Sequence, residues 1–553
     1  MIKGRLALGL AVILLGTTGG QAAAQGPTRA PILSGSLAKL DIKDAEVATA
    51  RAKPKGTLTI GMHFGLDPGW LDPLEHSYAA TQQHYDYLVH DALIKAMPQG
   101  VHTYSLAEQA EMTADYTRAA FRLRPGLRFH DGHPLTTADV KWTYENYKGA
   151  SAKPFRDKLE RIEIVDDRII VFHFKGPFLD FLDLYNGRGS GIGWIVPRHY
   201  YERVGKDGFK ARPLGAGPYR LLSQEAGTQM LFEAWDDYWR RTPATKTIVV
   251  KGIRDPASRV AGLQTGELDV AYGMTGKLLP RVMADRNLRW ERNFTGPWWL
   301  MFPGYGEPTS PFRDKRVRQA VSLALNRPFL ARQETQGIGI PIGNWIGPED
   351  AGALKSPEEL PLPEYNPQKA RQLLAAAGYA NGFDFDWFVA FPPYFDYGER
   401  VVTDLGAVGI RGKMQVMEGP AFRAMIGLGR KGFKGNRTIV KNIGPRPGGA
   451  KDSIGVYAVC AGSASFVCEP HVEELWARHQ ASTNFEERDR VIKTIQRILI
   501  EEYYMVPIYL NPFVHAAGPR VLPAGDGFHR YWDTPQAGYP YPWEVWEVKA
   551  DKP

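Results

Sequence analysis

Two cysteines, Cys460 and Cys468, are all that 553 residues contain. So few exclude a disulfide-framed miniature scaffold and a closed cysteine-built zinc site, which needs about four ligands. Beyond the first residues, no segment approaches the ~18 uninterrupted apolar residues of a membrane-spanning helix. No block of one charge sign stands out: 68 Lys and Arg are interleaved with 60 Asp and Glu, leaving a net charge of +8 and a pI of about 9.1. That pattern reads as a solvated, mildly basic surface and not as a nucleic-acid-binding stripe. No internal repeat or low-complexity tract is evident, which sets aside a repeat array. The nucleophile elbow G-x-S-x-G is missing. Ser36-Leu37-Ala38-Lys39 matches S-x-x-K, but its companions S-D-N and K-T-G are absent.

What is present is ordinary for a folded chain: 44% hydrophobic and 23% charged residues. The length implies roughly three to four folding units. Aromatics at 12% serve either large cores or the ring-lined wall of a binding cleft. The start reads as a secretory leader. Lys3 and Arg5 form its basic end, Leu6 to Leu15 its apolar core, and Gln21-Ala22-Ala23-Ala24 its small-residue cleavage site. Cleavage after Ala24 lowers the charge from +8 to 8 − 2 = +6. No cysteine lies nearby for a lipid anchor, so an exported, periplasmic protein is expected. Export places Cys460 and Cys468, with seven residues between them, where a disulfide persists; the alternative is two buried thiols.

Residues 25–55 are polar, Ala-rich and Pro-punctuated, and read as a loose lead-in. Order is expected from Gly56, where Thr57-Leu58-Thr59-Ile60 alternates like a strand. Tyr85 to Ile94 reads as a helix. From Ser105 the pattern predicts a short helix, a strand with Phe121 and Leu123 on one face, a Pro125-Gly126 turn and a second strand. A tight His130-Asp131-Gly132-His133 turn follows, then a helix capped at Thr136 or Thr137. Residues 161–174 read as a hairpin turning at Asp166-Asp167. Ala261 to Val270 is a helix stopped at Gly266, then a strand. Phe312 to Leu330 reads as one helix with Val317, Ala320, Val321 and Ala324 on one face. Asn366-Pro367 starts a helix that Gly378 ends. Asn484 and Glu487 resemble a capping box ahead of Val491, Ile495, Ile498 and Leu499. Pro507-Ile508-Tyr509 is a strand. Strands and helices alternate in both halves, which argues for α/β lobes.

Several phrases resemble those of the family 5 extracellular solute-binding proteins, the peptide/nickel-type receptors of ABC importers. They include Leu106-Ala107-Glu108, Phe121-Arg122-Leu123-Arg124-Pro125-Gly126, Phe129-His130-Asp131-Gly132 and Ala138-Asp139-Val140. Leu71-Asp72-Pro73, Pro213-Leu214-Gly215-Ala216-Gly217-Pro218-Tyr219, Asp236 to Trp239, Ala261 to Val270 and Asp314 to Arg327 continue the resemblance, with Ala216 where Thr is usual. It covers roughly residues 56–525. It implies a two-lobed clamshell of the periplasmic-binding-protein type with an additional subdomain in the first lobe. The first lobe would take residues 56–75, 200–290 and 511–553, the extra subdomain 76–199 and the second lobe 291–510. The resemblance further implies a binding protein and not an enzyme, no cofactor, and a monomer partnered by a membrane permease with a separate ATPase.

Candidate binding residues follow from the same pattern. His63, Phe64 and Trp70 lie in the loop after the first strand; Trp298 and Trp299 lie where the chain enters the second lobe; Tyr394 sits in a second-lobe loop. Peptide-binding relatives have a stretch like W-x-x-D whose Asp anchors the ligand amine. Here Lys441, Asn442 and Arg446 stand among Gly and Pro, with Asp452 as the candidate substitute. A cationic lining suits a carboxylate or phosphate. His130 and His133 read as a turn and not as metal ligands. His471, Glu474 and His479 lack the i, i+4 spacing of a zincin and read as a surface face. Gly427 to Gly432 matches G-x-G-x-x-G without the strand before it or the helix after it. The sequence therefore reads as an importer receptor for a peptide-like or other small organic solute. The alternatives are a secreted hydrolase or a sensory receptor of the same fold. N-terminal sequencing of periplasmic extract is expected to begin at Gln25; an intact leader on soluble, exported protein would refute the localisation.

Overall fold

The computed structural model describes residues 30–48, 53–76, 83–149, 152–185, 192–274, 278–348, 350–390, 398–417, 419–429, 438–443, 449–462, 464–522 and 543–549. The fold is α/β. Its spine is a mixed sheet whose strands lie in the order Ile410–Met417, Phe383–Ala390, Thr438–Ile443, Arg289–Met301, Val506–Ala517, Val270–Met274, Lys55–Met62, Thr245–Gly252, Gln229–Ala234 and Tyr219–Glu225. Lys55–Met62 is parallel to both of its neighbours, and Leu58 and Ile60 are fully buried. The strand expected there is thus a central one.

Two strands carry the chain between the halves. Arg289–Met301 and Val506–Ala517 run antiparallel, in register from Arg289 opposite Ala517 to Leu300 opposite Val506. The ladder shifts between Phe294 and Gly296 and again between Trp298 and Trp299. Such irregularities bend a strand and strengthen its twist. Gly296 takes φ 122, a region that disfavours any Cβ. On one side of this passage lies a core with Trp299, Phe312, Val321, Trp345, Trp387, Ile495 and Leu499. On the other lies a core with Leu58, Ile60, Tyr85, Phe232, Ile248 and Tyr272, closed by Trp543 and Trp546 from the end of the chain. Thr245 donates its hydroxyl to the Trp546 carbonyl at 2.6 Å. A third core, with Phe121, Phe129, Tyr144, Phe172 and Phe181, fills the four-stranded antiparallel sheet Ala107–Met112, Arg118–Leu123, Ile169–Phe174 and Leu159–Ile164 and the elements packed on it.

Several sequence expectations need correction. The short helix after Ser105 is a strand: Ala107–Met112 has helix-forming residues but pairs with Arg118–Leu123, and tertiary pairing overrides propensity. The Tyr85–Ile94 helix ends at Val89, and Ile94 begins a strand. Phe312 to Leu330 is broken. Lys315–Ala324 stops at an extended Leu325, and Asn326 caps a new helix, Arg327–Glu334, with Pro328 in its first turn. Proline lacks the N–H that a continuous helix needs there. Asn484 caps Glu487 N–H, but the Glu487 carboxylate turns to Ser482 and Arg478, so the capping box is only half made. The described part of the lead-in is not loose. Ile32 and Leu33 donate their N–H groups to Glu111, Leu37 bridges to Thr113, and Lys43 bridges to Thr103.

Other expectations hold. The residue 161–174 hairpin turns at Asp166, Gly266 is left-handed at the end of Pro256–Thr265, and Thr136 with Asp139 makes a full capping box. Among the described residues no helix is long and apolar enough to cross a membrane.

The Pro213–Tyr219 loop shows why its glycines are needed. A Cβ on Gly215 would lie 2.0 Å from the Val89 carbonyl oxygen, and one on Gly217 2.5 Å from that of Leu88. Gly215→Ala or Gly217→Ala is therefore expected to destabilise the fold by about 1–3 kcal/mol or more, as overpacking against backbone does. Urea denaturation of either variant measures it; an unchanged midpoint would contradict the packing.

Candidate functional site

The loop after the central strand Lys55–Met62 places three of the candidate residues together. His63 and Phe64 leave the strand directly. Asp67 then caps the short turn Pro68–Leu71, which carries Trp70, by accepting from Gly69 N–H. The rings meet edge to face: His63 to Phe64 at 4.6 Å between centroids, Phe64 to Trp70 at 5.3 Å. His63 also meets Phe513 at 4.9 Å, and Phe513 meets His515 at 5.0 Å. Tyr272 closes on His515 at 4.7 Å. His63, Phe64 and Trp70 keep partial exposure, whereas Phe513, His515 and Tyr272 are buried. Gly273 lets the His63 ring in: a Cβ there would sit 2.9 Å from the ring. The result is an aromatic wall on one of the two crossing strands.

Beneath this wall is a charged support. His76 Nδ1 lies 3.1 Å from Asp86 Oδ2, and Nε2 lies 2.9 Å from the Trp70 carbonyl oxygen, with both residues buried. Both ring nitrogens face acceptors, which favours the doubly protonated imidazolium. Burial opposes the charge, but Asp86 outweighs it and raises the His76 pKa. The Trp70 backbone is thus held from below by the His76 ring, which Asp86 fixes in turn.

The second group assembles around the passage into the other half. Trp298 and Trp299 are both buried; Trp299 packs against Trp345 and Tyr457 at 5.5 Å each. Neither ring stands as an open wall. Strand register puts Asn442 opposite Trp299 and Lys441 opposite Leu300. Asp452 lies in the first turn of the helix Ala450–Tyr457 and is half-buried. Tyr394, Arg446 and the side chains of Lys441 and Asn442 lie outside the described residues. The described contacts join His63, Phe64 and Trp70 to one another and to Val506–Ala517, which pairs directly with the strand bearing Trp298 and Trp299. Phe513, His515 and Tyr272 were not singled out from the sequence. The signal available was His515 two residues from Phe513, on the same face of a largely apolar strand.

The histidine motifs have structural uses. His130 Nε2 donates to the Gly217 carbonyl at 2.9 Å, and Nδ1 accepts from Gly215 N–H at 3.4 Å. Burial lowers its pKa to about 4, so the ring is neutral, with both nitrogens engaged in holding the glycine loop. His199 reaches Asp131 at 2.7 Å and stacks on His133. His479 corrects an expectation: it is buried and stacked on Trp476 rather than on a surface face, while His471 and Glu474 remain exposed. No metal-binding cluster is found among the described residues. Cys460 and Cys468 have their sulfurs within bonding distance, with Cα atoms 4.4 Å apart.

The chain has recognisable relatives. The pattern described as "Bacterial extracellular solute-binding proteins, family 5 Middle" matches residues 103–429. The oligopeptide-binding protein AppA of Bacillus subtilis (strain 168) is 28% identical over 341 residues, 57% of this chain and 61% of AppA. The dipeptide-binding protein of Escherichia coli (strain K12) is 26% identical over 353 residues, 57% of this chain and 63% of that protein. The matched region thus spans less than two thirds of either relative. Among solved structures, MoaA from A. tumefacien R10 in complex with mannopinic acid superposes with a TM-score of 0.75 at 20% identity, covering 90% of this chain and 100% of MoaA. DppA from Helicobacter pylori in complex with the peptide STSA gives 0.72 at 18% identity, covering 90% and 98%. At these identities the likeness is one of fold, the two-lobed α/β architecture of periplasmic binding proteins. With its pattern matched over more than half of the residues, the chain belongs to the family 5 bacterial extracellular solute-binding proteins.

Proposed function

We propose that this protein is the substrate-binding component of an ABC importer. It captures a peptide-like or other small organic solute between two lobes and delivers it to a membrane permease. The observation that carries this reading is family membership combined with an architecture of separate cores joined by two crossing strands, with an aromatic wall at the passage. Ligand bound there touches both halves, so it favours their closure through its differential contacts. The proposal includes export to the periplasm, action as a monomer without a cofactor, and a Cys460–Cys468 disulfide formed after export. Residues 56–75, 200–290 and 511–553 would form the first lobe, 76–199 its extra subdomain and 291–510 the second lobe. Relatives whose names or structures specify oligopeptides, dipeptides or mannopinic acid support a small organic solute and leave its class to this chain's own residues.

Those residues favour an anionic ligand group. The W-x-x-D stretch is absent, and Lys441 and Arg446 occupy the segment leading into the Ala450–Tyr457 helix. Arg can hold a carboxylate or phosphate with two parallel hydrogen bonds. Native mass spectrometry of freshly purified protein identifies the co-purified solute. Adding that solute is expected to reduce the radius of gyration and to raise the melting temperature, because it binds the folded state alone. Tight binding without compaction in X-ray scattering would count against a clamshell. Arg446→Ala is expected to weaken binding by about 1.5–3 kcal/mol, on the order of tenfold or more, with little effect on folding. Arg446→Lys should recover only part of it, since charge returns without the fork geometry. Calorimetry with the identified solute measures both; unchanged affinity in Arg446→Ala would remove this loop from the site.

A further inference from the structure

The extra subdomain and the second lobe meet through charge. Asp180 lies just ahead of the short turn Leu182–Tyr185, pinned between Phe178 and Phe181, which are buried in the core of the four-stranded sheet. Opposite stand two cations of the second lobe. Lys451 is in the first turn of Ala450–Tyr457, and Arg488 is in the first turn of Phe485–Glu501. Arg488 Nη2 reaches both Asp180 oxygens at 2.8 Å, while its Nη1 donates to the His479 carbonyl at 2.8 Å. Lys451 Nζ lies 2.6 Å from Asp180 and also holds Asp183. Beside them, Tyr116 meets the exposed Phe485 edge to face at 5.8 Å.

Three properties set this cluster apart from a surface ion pair. It is largely covered, with Lys451 and Arg488 side chains 15% and 8% exposed. It is anchored on both sides, because Arg488 and Asp180 are fixed by their own halves. It is electrically matched: burial alone would raise Asp180, but Lys451 and Arg488 outweigh it and bring its pKa down to about 2. Burial disfavours the Lys451 charge, yet Asp183 and Asp180 raise its pKa. Lys158, His102 and His479 border the cluster, and Lys158 sits over the Phe178 ring. An apolar interface of this extent would resist opening. Ion pairs instead regain water when the halves part, so their contribution is modest and reversible.

We propose that Asp180, Asp183, Lys451 and Arg488 form an electrostatic clasp that draws the extra subdomain onto the second lobe and so sets the balance between closed and open receptor. This rests on the receptor reading only in linking closure to solute affinity. Lys451 directly precedes Asp452, one of the candidate binding residues, in the helix Ala450–Tyr457. The clasp is salt-sensitive through its open form, in which the parted charges are solvated and screened as the Debye length falls to about 3 Å at about 1 M salt.

The test uses the full mature protein, dialysed free of solute. Cysteines carrying spin labels are introduced at the exposed Lys153 of the extra subdomain and the exposed Gln372 of the second lobe. In low salt the solute-free, unsubstituted protein should populate the short label-to-label distance alongside the long one, and about 1 M sodium chloride should lengthen the mean distance. Asp180→Asn and Lys451→Met should each lengthen it already in low salt, shifting the closed-to-open ratio on the order of tenfold. Melting curves check folding, and either variant alone suffices if the other does not fold. Distances unaffected by salt and by the folded variants overturn the clasp. Failure to find any solute sinks the receptor reading instead and leaves these distances untouched.

Discussion

The antiparallel ladder between Arg289–Met301 and Val506–Ala517 is the constraint on which the rest of the molecule depends. Two separate tethers would let the halves drift in all directions. Two strands hydrogen-bonded to each other along most of their length restrict relative motion to bending and twisting of one ribbon. The register shifts at Phe294/Gly296 and Trp298/Trp299 place the irregularity within the passage itself. Strands elsewhere in the sheet then attach to one side or the other: Val270–Met274 on the near side, Thr438–Ile443 on the far side. The aromatic wall inherits its position from this ribbon, because Phe513 and His515 are part of it.

Charge is used in two distinct ways around this frame. Beneath Trp70, the His76–Asp86 pair is sealed within one half and acts as a fixed support. Between the halves, Asp180 meets Lys451 and Arg488, and in the proposed clasp these contacts form only when the two come together. The first arrangement costs desolvation once, during folding. In the second, desolvation recurs with each closure, which keeps the energy difference between the two states small. On the proposed function, a receptor that must release what it captures needs the second kind at its boundary.

Local features were legible in the sequence and long-range ones were not. The Asp166 turn, the Gly266 stop, the Thr136 cap and the His130–His133 turn each depend on a few neighbouring residues whose backbone preferences can be read directly. Ala107–Met112 could not be read, because its helix-forming residues take their conformation from strands paired across the subdomain. The broken helix at Pro328 was readable in principle, since the proline stands in plain view. His63, Phe64 and Trp70 were found because they follow the first strand closely. Their partners Phe513, His515 and Tyr272 lie hundreds of residues away in apolar stretches that look like ordinary core. The same distance hid the clasp: nothing near Asp180 announces Lys451 or Arg488.

The first strand, Lys55–Met62, also has a bearing on how the protein is made. Lys55–Met62 lies between Thr245–Gly252 and Val270–Met274, the latter strand is paired with Val506–Ala517, and the same core receives Trp543 and Trp546. A chain entering the folding compartment from its amino end would offer this strand first and the residues that seal it last. The four-stranded sheet, whose strands all fall between Ala107 and Phe174, can assemble early from local pairings. The core around Leu58 and Ile60 can be completed only after Trp543 and Trp546 have emerged. A product broken off before those tryptophans would keep an open core, and transiently exposed apolar surface of that kind is prone to aggregate.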